Sequence, residues 1–366
     1  MRIAIIYLGR RGAGGRIALE IARQLDREHR VLVVVSRLAE NLEHWRKTSV
    51  QRVDVNTFGN AIGALFSLIF PIQIHRVAER IRQTKPDALL FPMFHPWNSL
   101  IQKALRDVPS VVFVHDPHPH PDLAGWFYDK LENQSFRRAA RGVVMSEVLK
   151  PALIQRGITE ERIDVIPIGP LRYKRAARSQ KALDQPPTLL FFGRIAPYKG
   201  IEHLLDAYRL VRETTPCRLS IVGRGNLRPY RERLKGLEDV EIINHWVAEE
   251  EIGEWFARSD LVTLPYASAS QSGVIPIAAT FGLPVIATRT GGLPEQIEAG
   301  ISGWLVPPGD VHALAEAIRE ALNNPTLARQ RGLELKERYE RVFNWGQIVR
   351  QVEISLEKAM QARGPE

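Results

Sequence analysis

Arg194 and Lys199 stand in one run, Phe191-Phe192-Gly193-Arg194-Ile195-Ala196-Pro197-Tyr198-Lys199-Gly200, which leaves an apolar strand, turns at Gly193 and leads into a helical pattern. Arginine offers a planar fork of donors, lysine a mobile point charge, and glycine a backbone that can be approached closely. A diphosphate fits that combination; two solvated cations in a strand-to-helix loop are the plainer alternative. Further along, Ser268-Ala269-Ser270-Gln271-Ser272-Gly273 precede a short apolar helix from Val274. Free N–H groups at its start and the helix dipole would favour an anion, with Ser272 and Gly273 as contacts. Ordinary N-capping by serine is the competing reading.

Two loops in the first half carry further candidates. Gly9-Arg10-Arg11-Gly12-Ala13-Gly14-Gly15-Arg16 follows the first strand, but its spacing is not G-x-G-x-x-G and no acidic residue ends a second strand about 20 positions on. That argues against a nicotinamide cofactor and for a turn that lets a phosphate or sugar reach a helix start. In His115-Asp116-Pro117-His118-Pro119-His120-Pro121 three histidines invite a metal. The alternating prolines hold such a loop extended and send its side chains apart, and no glutamate is placed as in H-E-x-x-H. A histidine contacting a substrate hydroxyl, with Asp116 fixing its tautomer or the loop, is the other reading.

These loops need scaffolds. Short β-branched runs alternate with amphipathic segments throughout, the pattern of βα units around parallel sheets. Strands are expected over 2–7, 30–35, 88–91, 110–114, 142–145 and 164–167, and again over 188–192, 218–222, 240–243, 261–265, 284–287 and 303–306. Two doubly wound α/β domains follow: residues 1–170, a basic, proline-ended linker over 171–187, and residues 188–340, with a helix over 341–366 packing back across the junction. Ligands are expected in a cleft at the carboxyl ends of both sheets.

Composition narrows the class. The 366 residues, 45% hydrophobic and 25% charged, exclude a disordered or collagen-like chain and leave room for two domains. The single cysteine, Cys217, excludes an internal disulfide and a cysteine-cluster zinc site and suits a reducing compartment. The formal charge is +9; residues 1–170 hold 24 Lys and Arg against 17 Asp and Glu, so +7 of it falls there. Residues 3–8 read as a first strand rather than a signal peptide. The longest apolar stretch, 61–72, falls short of the roughly 20 residues a membrane span needs, though it could rest on an interface.

Gly193-Arg194, Lys199-Gly200, Ile221-Val222-Gly223-Arg224-Gly225, Leu264-Pro265-Tyr266, Gly282-Leu283-Pro284-Val285, Gly291-Gly292-Leu293-Pro294-Glu295 and Gly303-Trp304-Leu305-Val306-Pro307 occur in an order that resembles the retaining glycosyltransferases of the "glycosyl transferases group 1" family. The resemblance implies the GT-B fold, two Rossmann-like domains facing each other across a cleft, and transfer of a sugar from a nucleotide-diphosphate donor to a glycan, lipid-linked or small-molecule acceptor. It implies that Arg194 and Lys199 bind the diphosphate, that His115 contacts the donor sugar, that Gly15 lies near the phosphate, and that Trp246 or Val247 meets the nucleobase. Gly193, Gly223, Gln271, Ser272, Gly273 and Val274 join the donor side; Gly14, Asp116, His120 and His95 the acceptor side. The paired glutamates of many members are absent, and a branch with Gln-Ser-Gly in their place is the better match. No Asp-x-Asp occurs, so neither metal nor separate cofactor is implied. The expected setting is cytoplasmic, at the inner membrane face, with anionic lipid and no nucleic acid as partner. An epimerase or hydrolase of the same fold, or a non-catalytic binding relative, are the alternatives.

Overall fold

The computed structural model describes residues 1–115, 123–174 and 185–362, which form two units, each built on a parallel sheet. Strands of the first unit are β1 (Arg2–Tyr7), β2 (Arg30–Ser36), β3 (Gln51–Val55), β4 (Ala88–Phe91), β5 (Ser110–Val114), β6 (Arg141–Val144) and β7 (Ile163–Val165), in the order β3-β2-β1-β4-β5-β6-β7. The central strands are apolar on both faces and buried throughout apart from Arg2 at the start of β1, as a sheet covered by helices on both sides requires. The second unit carries β8 (Thr188–Phe192), β9 (Arg218–Val222), β10 (Val240–Ile243), β11 (Leu261–Leu264), β12 (Val285–Thr288) and β13 (Trp304–Val306), in the order β10-β9-β8-β11-β12-β13. Strand order reverses between β1 and β4 and between β8 and β11, so each unit has a switch point where connections diverge to opposite faces.

The strand limits differ from the sequence expectation where side chains intervene. β6 begins at Arg141 rather than Gly142, because its guanidinium is held by Asp164 of the neighbouring β7, Nη2 to Oδ1 2.7 Å. β7 stops at Val165, two residues before Pro167, which has no N–H to extend the ladder. β3 is unannounced in the sequence: only Val55 is buried, and Arg52 pairs with Asp54 on the sheet edge, Nε to Oδ1 2.6 Å. Such charges keep an edge strand from pairing with another chain. Of the stretch expected as a linker, Leu171 already belongs to the second unit, its carbonyl accepting from Thr280 Oγ1 at 3.3 Å, while 175–184 lie outside the described residues.

The first unit comprises Met1–Gly169 and the chain from Trp345 onward. Helix Trp345–Gln361 buries Trp345, Ile348, Val352 and Leu356 against the first sheet and against helix Gly14–Leu25. Polar pins flank that apolar strip. His29 Nε2 meets Glu353 Oε1 at 3.1 Å, and Ser355 Oγ donates to Asp164 Oδ2 at 2.7 Å. Burial pushes the Asp164 carboxyl up, but hydrogen bonds from Arg141 and Ser355 outweigh it and hold the group below its ordinary value. A depressed carboxyl stabilises the fold above its unfolded pKa, about 4, and the contribution is lost as pH falls through the lower folded value. Asp164→Asn is therefore expected to lower the apparent Tm at pH 7, by the equivalent of about 3 kcal/mol. Thermal scans over a pH series should show the gap to the parent closing in acid; a constant gap would remove the charge from the explanation.

Candidate active site

β8 ends against β9, and the two loops beyond remain paired. Gly193 N–H donates to Val222 O at 2.9 Å and Ile195 N–H to Arg224 O at 3.0 Å. Gly223 has φ +148°, and a Cβ there would lie 1.8 Å from Gly193 O, so no side chain fits between the strand ends. The β8 loop then makes a single 3-10 turn, Pro197–Lys199, and Gly200, left-handed at φ +63°, starts helix Ile201–Arg212 beside Pro265 O. Ala267 N–H donates to Tyr198 O at 2.9 Å, which ties this loop to the one after β11, across the switch point.

Lys199 is the focus of this junction. Its Nζ sits 3.5 Å from the centroid of the Tyr266 ring and 5.1 Å from that of Tyr198. Burial, and then the charge of Arg194, lower its pKa to about 7. Arg194 itself is exposed, and neither cation forms an ion pair among the described residues. Two unpaired like charges held together in a loop at a sheet's carboxyl end make a receptor for an anion.

Tyr266 is fully buried, and its hydroxyl lies 3.4 Å from Ser272 Oγ. The Ser272 hydroxyl accepts from the N–H of Val274, the first residue of helix Val274–Phe281, at 3.2 Å, and Gly273 is the N-cap of that helix. Gln296 clamps Ser272 from behind: Ser272 N–H donates to Gln296 Oε1 at 2.9 Å, and Gln296 Nε2 donates to Ser272 O at 3.0 Å and to Tyr339 Oη at 3.1 Å. Beside them Gln271 Oε1 is buried without a hydrogen-bond donor, an acceptor whose need goes unmet within the chain. The β9 and β10 loops meet where Asn244 Oδ1 accepts from Gly225 N–H at 3.0 Å. Trp246 is exposed there while Val247 is buried, so the indole is the one of the two offered to a planar ligand.

In the first unit, Gly14 and Gly15 open helix Gly14–Leu25. A Cβ on Gly14 would lie 2.0 Å from Met93 Cε, and one on Gly15 would lie 2.7 Å from Asn41 Nδ2. Asn41 is buried and its Nδ2 has no acceptor, which leaves an unused donor at the helix start. His115 directly follows β5, with Nε2 2.8 Å from Pro92 O, so that nitrogen carries the proton. The Pro92–Met93 corner thus gathers Gly14 and His115 at the carboxyl ends of β1, β4 and β5. His95 is buried, stacked on Phe58 at 5.0 Å between centroids, and its Nδ1 accepts from Trp97 N–H at 3.2 Å. Burial, and then the charge of Arg10, lower its pKa to about 3, so the ring stays neutral. Asp116 and His120 lie outside the described residues. Among the described residues no three His, Cys, Asp or Glu side chains converge on a metal-sized position.

Sequence reading missed Tyr266 as a partner of Lys199, and Gln296, Tyr339 and Asn41 altogether. Tyr266 stood in a motif that marked it only as family-like. The others act across long sequence separations and left no local pattern.

Residues 14–169 match the family described as "Glycosyltransferase Family 4", and residues 186–324 match "Glycosyl transferases group 1". The amylovoran biosynthesis glycosyltransferase AmsK of Erwinia amylovora is 31% identical over 47% of this chain and 44% of its own length. The alpha-D-kanosaminyltransferase of Streptomyces kanamyceticus is 28% identical over 64% of this chain and 66% of its own. The chain thus spans about half to two thirds of the length of these curated relatives. Among solved structures, Anabaena HepE in complex with UDP and glucose superposes with a TM-score of 0.76 over 98% of this chain and 99% of its own, at 21% identity. The two matches fall one in each unit, residues 14–169 in the first and residues 186–324 in the second, and the fold is GT-B.

Proposed function

We propose that the protein is a retaining glycosyltransferase that moves a sugar from a nucleoside-diphosphate donor to a glycan, lipid-linked or small-molecule acceptor. The observation that carries this reading is the half-buried Lys199 ammonium on the face of Tyr266, unpaired and beside Arg194 at the β8/β11 switch point. Such a pair is suited to the charge that grows on a β-phosphate as the bond to the sugar breaks. Transfer with retention then needs no protein nucleophile: the acceptor oxygen bonds the anomeric carbon on the face the diphosphate leaves, and the departing phosphate oxygen takes the acceptor's proton. Gly273 at its helix start adds backbone stabilisation, and Gln271 Oε1 is an acceptor for a donor hydroxyl. Trp246 is the stacking surface we assign to the base, and His115, with Gly14 and Gly15, the edge we assign to sugar and acceptor.

The test is an incubation with a panel of UDP- and GDP-sugars, with and without acceptors, read by mass spectrometry and by the anomeric coupling of the product. UDP-sugars come first because HepE, on the same fold, is a complex with UDP and glucose. A retained glycoside supports the proposal; free sugar alone, an epimerised donor or no turnover points to hydrolase, epimerase or a non-catalytic binder. We place the reaction in the cytoplasm, in keeping with the buried free thiol of Cys217.

Gln296 enters as a positioning residue for this site. Removing its two bonds to Ser272 frees the backbone that leads into Gly273, so Gln296→Ala is expected to weaken UDP binding roughly 30-fold, at about 1 kcal/mol per lost bond. Calorimetric titration beside a thermal scan checks it: unchanged affinity would reduce Gln296 to a packing role.

A further inference from the structure

Helix Ala61–Ile69 in the first unit contains no charged residue and is apolar on both of its sides. Inward, Ala64 is buried, Leu68 packs on the core, and Ser67 Oγ accepts from Trp97 Nε1 at 2.8 Å. Outward, Ile62, Leu65, Phe66 and Ile69 recur at helical spacing, and Phe70 and Ile72 continue the patch. These six side chains are between 52% and 70% exposed, and the rings of Phe66 and Phe70 lie 6.4 Å apart. A helix on a water-facing surface puts polar residues outward, so this one is built for a different neighbour.

Its surroundings indicate the chemistry of that neighbour. Helix Ile72–Gln83 carries the same exposed face onward from Ile72 through Arg76 to Arg80, with Lys85 beyond. Glu79, on the exposed side of that helix, is already paired with Arg82 at 2.8 Å. At the other end Arg10 Nη1 donates to Gly59 O at 2.6 Å, which sets a cation beside the helix start, and Arg11 next to it is exposed. An apolar face with cations at both ends matches acyl chains beneath anionic headgroups. Helix Ala61–Ile69 can lie on such a surface but not cross it, and no described helix is long and apolar enough to cross.

We infer that Ile62, Leu65, Phe66, Ile69, Phe70 and Ile72 insert into the interface of an anionic membrane, and that Arg10, Arg76 and Arg80 select its headgroups. The surface does not depend on the proposed transfer, and its test needs neither donor nor acceptor. The full chain is pelleted with vesicles of phosphatidylcholine alone and of phosphatidylcholine with 30% phosphatidylglycerol. Expected is pelleting with the anionic vesicles and at least tenfold less with the neutral ones. Phe66→Ser with Ile69→Ser should abolish pelleting at unchanged circular dichroism and Tm, and Arg76→Glu with Arg80→Glu should remove the preference for anionic vesicles. Pelleting of the serine variant at the parent level, or none by the parent, overturns the inference. So does a concentration-dependent dimer by light scattering that the serine pair dissolves, since a second copy of the chain would then cover the face.

Discussion

Lys199→Ala and Arg194→Ala are each expected to lower kcat of the proposed transfer by about 10²–10³-fold, the usual cost of one donor aimed at charge that develops in a transition state. The fold should survive both. For Lys199 stability should even rise, because its folded pKa of about 7 lies below the ordinary lysine value, about 10.4. Below pH 7 the group is charged in both states and the full cost of burying that charge falls on the folded one. Between pH 7 and 10.4 the unfolded chain binds more protons, so stability climbs with pH. Lys199→Met, which keeps the stem on Tyr266, should therefore melt higher than the parent at pH 6–7 while failing in turnover. Rates within threefold of the parent in both alanine variants would remove the diphosphate from this loop.

Affinity for a nucleoside diphosphate should depend on pH through the same ammonium. The anion favours protonated Lys199, so binding raises its pKa and takes up a proton wherever the free group has lost one. Affinity should be flat below pH 7 and fall above it, by up to tenfold per unit, until the pKa of the complex is reached. Titrations of UDP at pH 8 in buffers of different ionisation enthalpy would reveal the uptake directly. Lys199→Met should give weak, pH-independent binding. A parent profile flat from pH 6 to 9 would show that Lys199 does not touch the ligand.

Much of this architecture could be read from the chain alone, because parallel strands buried on both faces are continuous apolar runs and glycines punctuate their ends. β3 escaped because an edge strand has little to bury, and its Arg52-Val53-Asp54 looks like a loop. At the site, Arg194 and Lys199 were legible as cations between a strand and a helix. The ring under the Lys199 ammonium is Tyr266, supplied by the loop after β11, and no local spacing reports that approach. The same holds for Ser272, whose backbone is held by Gln296 from far along the chain while its hydroxyl accepts from Val274 N–H. For His95 the residue type alone suggested ligand chemistry, and the local packing was hidden: one ring face stacks on Phe58 and Nδ1 accepts from Trp97 N–H. The stretch 61–72 was visible as apolar; its outward direction rests on a helix begun by Asn60, whose side chain accepts from Gly63 N–H at 2.8 Å.

The return of Trp345–Gln361 to the first sheet sets an order of assembly on the ribosome. The second unit is contiguous, Pro170–Asn344, and has all its strands as soon as its last residues emerge. The first unit begins earlier yet ends later. Until Trp345, Ile348, Val352 and Leu356 arrive, the apolar strip they cover and the Asp164–Arg141 pair remain open to water. The half synthesised first is thus completed last, and a nascent chain halted anywhere in the second unit displays the kind of uncovered sheet that chaperones bind and that neighbouring chains can aggregate upon.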